Sequence, residues 1–322
     1  MGYSVVIRTL GESPYLENEL REIYSQIAKP EKVLIFIPEG ISRPKFQIGD
    51  EEYVQVEKGM MHQRLLPYGE ISSEYILMLD DDVKLQPDSV EKLLNAMKEN
   101  DAHLIGVDTF KNHKMPLAVK FKAAVANLVF PHFSQRFAFK IHRNGSFSYI
   151  NSPKKDYYPS QSCAGNAMLW KTYVYKNLEM QDELWLDSLP FAFEDDMLES
   201  YKVYKNGLNL GVVFNSGIIH LDCKTASDKF RKDSQFFRNR TLAQMSIWWR
   251  TCYKPGDTGG LLRFLAACAF TFKMGWLLVI ILSLSVLKFN FSYCSNFFKG
   301  ISEGWKFVHS KPFRSLRPYV IR

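Results

Sequence analysis

The stretch EYILMLDDDVKLQPD, Glu74 to Asp88, decides the fold. Tyr75, Ile76, Leu77, Met78 and Leu79 form a continuous apolar run, the pattern of a strand buried on both faces of a parallel or mixed sheet. Asp80, Asp81 and Asp82 follow without a break. Three carboxylates at the carboxyl end of a strand repel one another unless a cation sits among them, and the ends of such strands are where open α/β folds bind ligands. A divalent ion is therefore the economical expectation. A solvated acidic loop is the plainer alternative, but such loops seldom follow five buried apolar residues directly. Pro87, Asp88 and Glu91 then open an amphipathic helix through Leu93, Leu94 and Met97.

Upstream, Ser4 to Ile7 reads as a buried strand ending at Arg8, Thr9, Leu10 and Gly11, and Ser13-Pro14 starts a helix reaching about Ala28. Lys32 to Ile37 gives a second strand, ending at Pro38-Glu39-Gly40, and a third lies near Tyr53 to Val56. A helix from Met60 to Ser72 precedes the central strand. This alternation predicts a doubly wound α/β sheet, with Arg8, Thr9, Glu39 and Asp80 to Asp82 along one edge, where a nucleotide pocket belongs. There is no GxGxxG after the first strand and no GxxxxGK anywhere. Dinucleotide and Walker-type ATP binding are thereby disfavoured.

The chain has 322 residues and a net charge of +7, with a dense share of the basic residues beyond Lys224. No nucleic-acid motif is visible, so that charge points to substrate phosphates and lipid headgroups rather than DNA or RNA. Five widely spaced cysteines without a CxxC pair read as reduced, packed thiols. The first residues, MGYSVVIRTL, read as a strand and not a secretory signal, which places the chain in the cytosol.

Farther on, His103 to Asp108 reads as another strand, and Met115 to Phe139 as core packing or an insertion facing a membrane or an acceptor. Ser162 to Leu169, SCAGNAML, has the small residues of a close approach leading into a strand. A second acidic focus, FAFEDDMLESYKVY, places Glu194, Asp195 and Asp196 before Met197, Leu198, Tyr201 and Tyr204, which are spaced as one helix face. Acids at a helix N-terminus also satisfy its dipole, so capping alone is the structural alternative. His220 follows a later strand, where a metal or phosphate role stands beside an ordinary structural one.

Taken together, the βα opening, LMLDDDV, GNAML, FEDDML and the later His resemble a family 2 glycosyltransferase of the GT-A fold, over roughly residues 3 to 250. The resemblance implies a mixed sheet with helices on both faces, a nucleotide-diphosphate sugar donor, and Mn²⁺ or Mg²⁺ held by Asp80 and Asp82 with help from His220. It implies Asp195, in the matching Glu194-Asp195 motif, as general base; since about 100° of rotation per residue keeps the three acids from one pocket, Glu194 is left to orient an acceptor hydroxyl and Asp196 to cap the helix. It also implies Arg8, Thr9, Glu39, Arg64, Asp80 and Asp81 as donor contacts. Direct attack on the anomeric carbon makes the expected reaction inverting. Two departures stand out. Pro38-Glu39-Gly40-Ile41 replaces the usual acid-acid-Gly-Ser, which leaves the base open, and the QxxRW motif of processive members is absent. Phe236-Phe237-Arg238-Asn239-Arg240 is instead similar to nonprocessive members, so one sugar per encounter is expected.

From Leu261 the chain turns apolar, interrupted by Arg263 and Lys273, and then basic. Met274 to Leu287 is uninterrupted but, at about 21 Å, short of a hydrocarbon core of roughly 30 Å. The expectation is membrane attachment on the cytoplasmic side, either spanning or interfacial, with a pair of helices packed on the catalytic domain as the alternative. The organisation expected is a catalytic domain over 1–225 (donor half to about 110, acceptor half beyond), a helical connection over 226–260 and a membrane-associated region over 261–322. The acceptor is expected to be a glycan or lipid-linked. Competing readings are a haloacid-dehalogenase-like phosphatase, against which Lys84 and the position of the motif argue, and a noncatalytic membrane-bound nucleotide-sugar sensor.

Overall fold

The computed structural model describes residues 2–65, 71–108, 136–150, 153–190, 194–221 and 235–321. Most of the 115–139 tract thus lies outside the described residues, as do positions 66–70 of the helix expected over Met60 to Ser72; among its described residues only His62–Leu65 is helical, and Ile71 and Ser72 are not.

In chain order the strands are β1 (Tyr3–Arg8), β2 (Lys32–Pro38), β3 (Glu52–Val56), β4 (Tyr75–Asp80), β5 (Val83–Leu85), β6 (Leu104–Val107), β7 (Phe139–Ile141), β8 (Phe147–Tyr149), β9 (Tyr157–Pro159), β10 (Ala167–Lys171), β11 (Leu210–Val213) and β12 (Ile218–His220). Eight of them form one mixed sheet in the order β3-β2-β1-β4-β10-β6-β11-β9. β1 to β4 run parallel, so their carboxyl ends share one edge. β10 enters antiparallel between β4 and β6.

Alternation along the strands feeds two cores, as a pleat with a two-residue period requires. Val5, Ile7, Leu77 and Leu79 face one apolar cluster, covered by helices Leu16–Tyr24 and Ser89–Glu99. Val6, Ile76 and Met78 face the other, where Trp170, Tyr175 and Val203 pack beneath helices Thr172–Asn177 and Asp195–Lys205. The first helix is shorter than its apolar spacing predicted, because Leu16, Leu20 and Ile23 exhaust its buried face and the chain turns at Ser25.

Two small strands matter more than their length suggests. β5, directly after the acidic turn, pairs antiparallel with β12, with His220 opposite Val83. Leu221 N–H donates to the Asp82 carbonyl at 2.8 Å, which closes the pairing.

The carboxyl-terminal part is helical: Phe236–Trp248 with a π-turn to Tyr253, the apolar helix Gly260–Leu287, Ser292–Val308 and Lys311–Arg314. Gly260–Leu287 is the one helix among the described residues long and apolar enough to cross a membrane, with a mean hydropathy of 2.1. This part is tied to the sheet by a buried ion network. The fully buried Glu183 accepts from Lys202 at 3.0 Å and from both Arg250 Nε and Nη2, at 3.0 and 2.7 Å. Tyr319 O–H donates to the Leu198 carbonyl at 2.6 Å.

Candidate active site

Because β1 and β4 are neighbours in register, Arg8 lies directly beside Asp80 at the sheet edge. The two side chains form an ion pair. One residue on, Thr9 O–H donates to Asp81 Oδ2 at 2.5 Å and Ser13 O–H to the Asp81 carbonyl at 2.5 Å, which fix the turn that displays the triplet. Burial pushes the Asp81 carboxyl up to about 6; Thr9 opposes this, and the charges of Asp80 and Asp82 add to it. Beneath the turn the buried Glu19 is held well above the usual carboxylate range, by burial first and Asp81 next.

The β5–β12 pairing brings His220 Nε2 to 3.1 Å from Asp82 Oδ1. Ligand atoms of Asp80, Asp82 and His220 all lie within 4.8 Å of one another. Two carboxylates and an imidazole make a donor set that fits a divalent ion.

The second acidic focus reaches the same place. Arg64 is almost wholly buried and forks between two residues one helical turn apart: Nη2 lies 2.5 Å from Asp195 Oδ2 and Nη1 donates to Glu199 Oε2 at 2.8 Å. Arg8 Nη1 is 3.8 Å from the same Asp195 oxygen, so one arginine spans Asp80 and Asp195. Asp196 accepts from Met197 N–H at 2.7 Å and Gly165 N–H at 3.2 Å. Burial and the neighbouring Asp195 push its carboxyl up to about 7, against the pull of Arg64. Burial does the same to Glu199, also to about 7, again against Arg64.

A cleft of about 340 Å³ joins these groups; its walls include Arg8, Arg64, Asp80, Asp195, Asp196 and His220, with Ala164 to Asn166 as a small-residue side. Gly165 is required there: a Cβ would sit 2.7 Å from Arg64 Nη2 and 3.0 Å from the Asp196 Cβ. A chain with these charges in one cleft can hold a phosphorylated, metal-bound ligand against a carboxylate.

Thr9, Asp81 and Asp82 do not line the cleft but are joined to it, Thr9 through its bond to Asp81 in the acidic turn and Asp82 through His220, and two further expected site residues stand apart. Glu39 is exposed at the end of β2 and is not among the cleft's lining residues. Glu194 precedes the helix with a left-handed backbone at φ 57° and is not a lining residue either. Burial raises its carboxyl, while Lys273 and Arg240 pull it back down. Asp196, read from sequence as a cap, lines the cleft instead. Arg238, in the aromatic-Arg-Asn segment, clasps Glu303 through Nε and Nη2 at 2.7 Å each. Glu199 was missed, although its spacing of four from Asp195 places both on one helix face.

The chain resembles known proteins in two ways. Residues 3–119, which carry β1 to β6 and the acidic turn, match the model of the glycosyl transferase family 64 domain. Among solved structures, S. aureus TarS 1–349 in complex with UDP-GlcNAc is similar with a TM-score of 0.56 at 11% identity, over 95% of this chain and 81% of that one. The mannosyltransferase PcManGT from Pyrobaculum calidifontis in complex with GDP-Man and Mn²⁺ gives a TM-score of 0.46 at 13% identity, over 96% and 87%. No curated protein matches the chain. The TarS likeness establishes the fold, and the family model supports a glycosyltransferase. The sequence resemblance pointed to family 2 and the matching model is of family 64; sugar transfer is common to both.

Proposed function

We propose that this protein transfers one sugar, with inversion, from a nucleotide-diphosphate sugar to a glycan or lipid-linked acceptor at the cytoplasmic side of a membrane, held there by its carboxyl-terminal region. The observation that carries the reading is that Asp80 and His220 of the acidic cluster line the same cleft as Asp195. The family model over residues 3–119 favours sugar transfer over the phosphatase alternative.

Asp80, Asp82 and His220 would hold a divalent ion, which would supply positive charge to neutralise the donor diphosphate. Arg8 and Arg64 add fixed positive charge where negative charge develops on the departing oxygen. The acceptor hydroxyl oxygen forms its bond to the anomeric carbon as the bond to the diphosphate oxygen breaks, and its proton passes to Asp195. Glu199 holds Arg64 in place and through it orients Asp195. A second reading of the base rests on Asp196, whose carboxyl lies near 7, where a general base works best.

The test is release of nucleoside diphosphate from a panel of UDP-, GDP-, CDP- and dTDP-sugars with Mn²⁺ or Mg²⁺, followed by NMR of the product's anomeric centre. Turnover of one donor with inversion is the expected result. Retention of configuration would leave sugar transfer standing and remove the single-displacement scheme, and turnover of no donor would remove sugar transfer itself.

A further inference from the structure

The helix Gly260–Leu287 has two faces that hydropathy does not separate, because both are apolar. Ala266, Phe270, Lys273, Met274, Ile281 and Ser285 are buried. They seat the helix on the body of the protein: Phe270 stacks on Trp248 with ring centroids 4.0 Å apart, and Lys273 Nζ donates to the Asn144 carbonyl at 3.4 Å. Leu261, Leu265, Phe272, Val279, Leu282 and Val286 are exposed, from 37% at Leu265 to 73% at Leu261. Their separations of three, four and seven residues put them in one stripe along the helix. At 1.5 Å per residue the stripe from Leu261 to Val286 is about 38 Å long.

The chain does not leave the body of the protein after this helix. Glu303, on the next helix, is clasped by Arg238, which precedes the apolar helix. Farther on, Arg317 Nε lies 2.8 Å from Asp182 Oδ2, and Val320 N–H donates to the Pro255 carbonyl at 2.8 Å. A single crossing puts its two flanks on opposite sides of a bilayer. Here both flanks belong to one folded unit, so the helix cannot cross while the fold is intact.

Charge selects what covers the stripe. From Leu261 onward the sequence has nine basic residues and one acidic residue, Glu303, so this segment alone exceeds the net charge of +7 of the whole chain. Lys288, Lys299, Lys306, Lys311 and Arg314 are exposed. The segment that bears the stripe thus carries the sign that anionic headgroups complement.

We propose that the exposed stripe lies flat in the surface layer of an anionic lipid membrane and holds the protein on one leaflet without crossing it. This rests on the membrane attachment proposed above and is independent of the chemistry in the cleft. Lys273, on the inner stripe, is one of the two cations acting on Glu194, so the lipid-facing helix also backs the segment leading into Asp195.

The full chain, purified in detergent, is mixed with phosphatidylcholine vesicles with and without phosphatidylglycerol, and floated after detergent removal. Flotation is expected with phosphatidylglycerol and reduced roughly ten-fold without it. A Phe272→Glu, Val286→Glu double variant is expected to stay unbound while keeping its circular dichroism spectrum and nucleotide binding. In sealed vesicles from producing cells with the cytoplasmic face outward, tags added before Met1 and after Arg322 are both expected to be cut by external protease. Protection of one tag overturns the in-plane placement. Flotation untouched by the double variant, or a detergent-free dimer that the variant dissociates, overturns the stripe as the lipid contact. No flotation at all removes membrane attachment and leaves the sugar-transfer assay unaffected.

Discussion

Replacing Asp195 by Asn is the most informative perturbation, because the structure separates its effect on stability from its effect on transfer. The substitution keeps the side chain's shape beside Arg64, but removes one of the two carboxylates paired with that buried guanidinium. Stranding a buried charge altogether costs about 3–5 kcal/mol. Arg64 Nη1 still donates to Glu199 at 2.8 Å, so the loss is about 1–3 kcal/mol, the cost of leaving a buried polar group one partner short. Transfer loses its proton acceptor and falls by about 10² to 10⁴, equivalent to about 2.7–5.5 kcal/mol in the barrier. Donor affinity is expected to hold, since Asp80, Asp82 and His220 are unchanged. The assay sets urea unfolding, donor titration and transfer rate for Asp195→Asn beside the same measurements for Asp196→Asn. It adds a rate–pH profile, because Asp196 has a carboxyl near 7. Near-parental transfer by Asp195→Asn, together with an acidic limb near 7 that vanishes in Asp196→Asn, would refute the assignment and move the base to Asp196.

His220→Ala is expected to weaken Mn²⁺-supported donor binding and leave metal-free binding unchanged, as calorimetric titration with and without Mn²⁺ will show; equal losses in both would remove His220 from the metal site. Gly165→Ala forces a Cβ to within 2.7 Å of Arg64 Nη2, so a stability loss of about 1–3 kcal/mol with a larger loss of transfer is expected from unfolding curves and kinetics. Glu199 and Asp196 are both raised to about 7 in the folded chain from ordinary values of 4.5 and 3.8, so between these limits the native state binds more protons than the unfolded one. Their contribution to stability is therefore full below about pH 4 and lost as pH rises through about 7, on the order of 1.4 kcal/mol for each tenfold difference in proton affinity between the folded and unfolded chain. Glu199→Gln should flatten that fall in unfolding free energy measured from pH about 5 to about 8.

The parallel half of the sheet was legible in sequence because Val5 to Ile7, Val33 to Ile37 and Tyr75 to Leu79 are continuous apolar runs, each ended by polar groups. The acidic turn and the helix opening on Asp195 were legible for the same reason. What delivers His220 to Asp82 was not, because β5 and β12 are three residues each and lie far apart in sequence. The antiparallel entry of β10 was equally hidden, since one strand's apolar pattern carries no direction. Arg64 was reached only through the family resemblance; its partners Asp195 and Glu199 lie more than a hundred residues away and are found by packing, not spacing. In Gly260–Leu287 the periodicity is silent because inner and outer stripes are both apolar.

The hydrogen bond from Tyr319 to Leu198 joins residues 121 apart in sequence, with Leu198 on the helix that carries Asp195. On the ribosome, at about 5–20 residues per second, that interval lasts roughly 6–24 seconds. Throughout it the helix is already made, but the side chains that close its underside, Tyr319 and Val320, do not yet exist. The two halves of the cleft are therefore completed at different times. The wall built from β1 and β4 can settle early, while the wall bearing Asp195 waits for Tyr319 and Val320. A nascent chain can thus pair Arg8 with Asp80 well before Tyr319 and Val320 close the underside of the helix that carries Asp195.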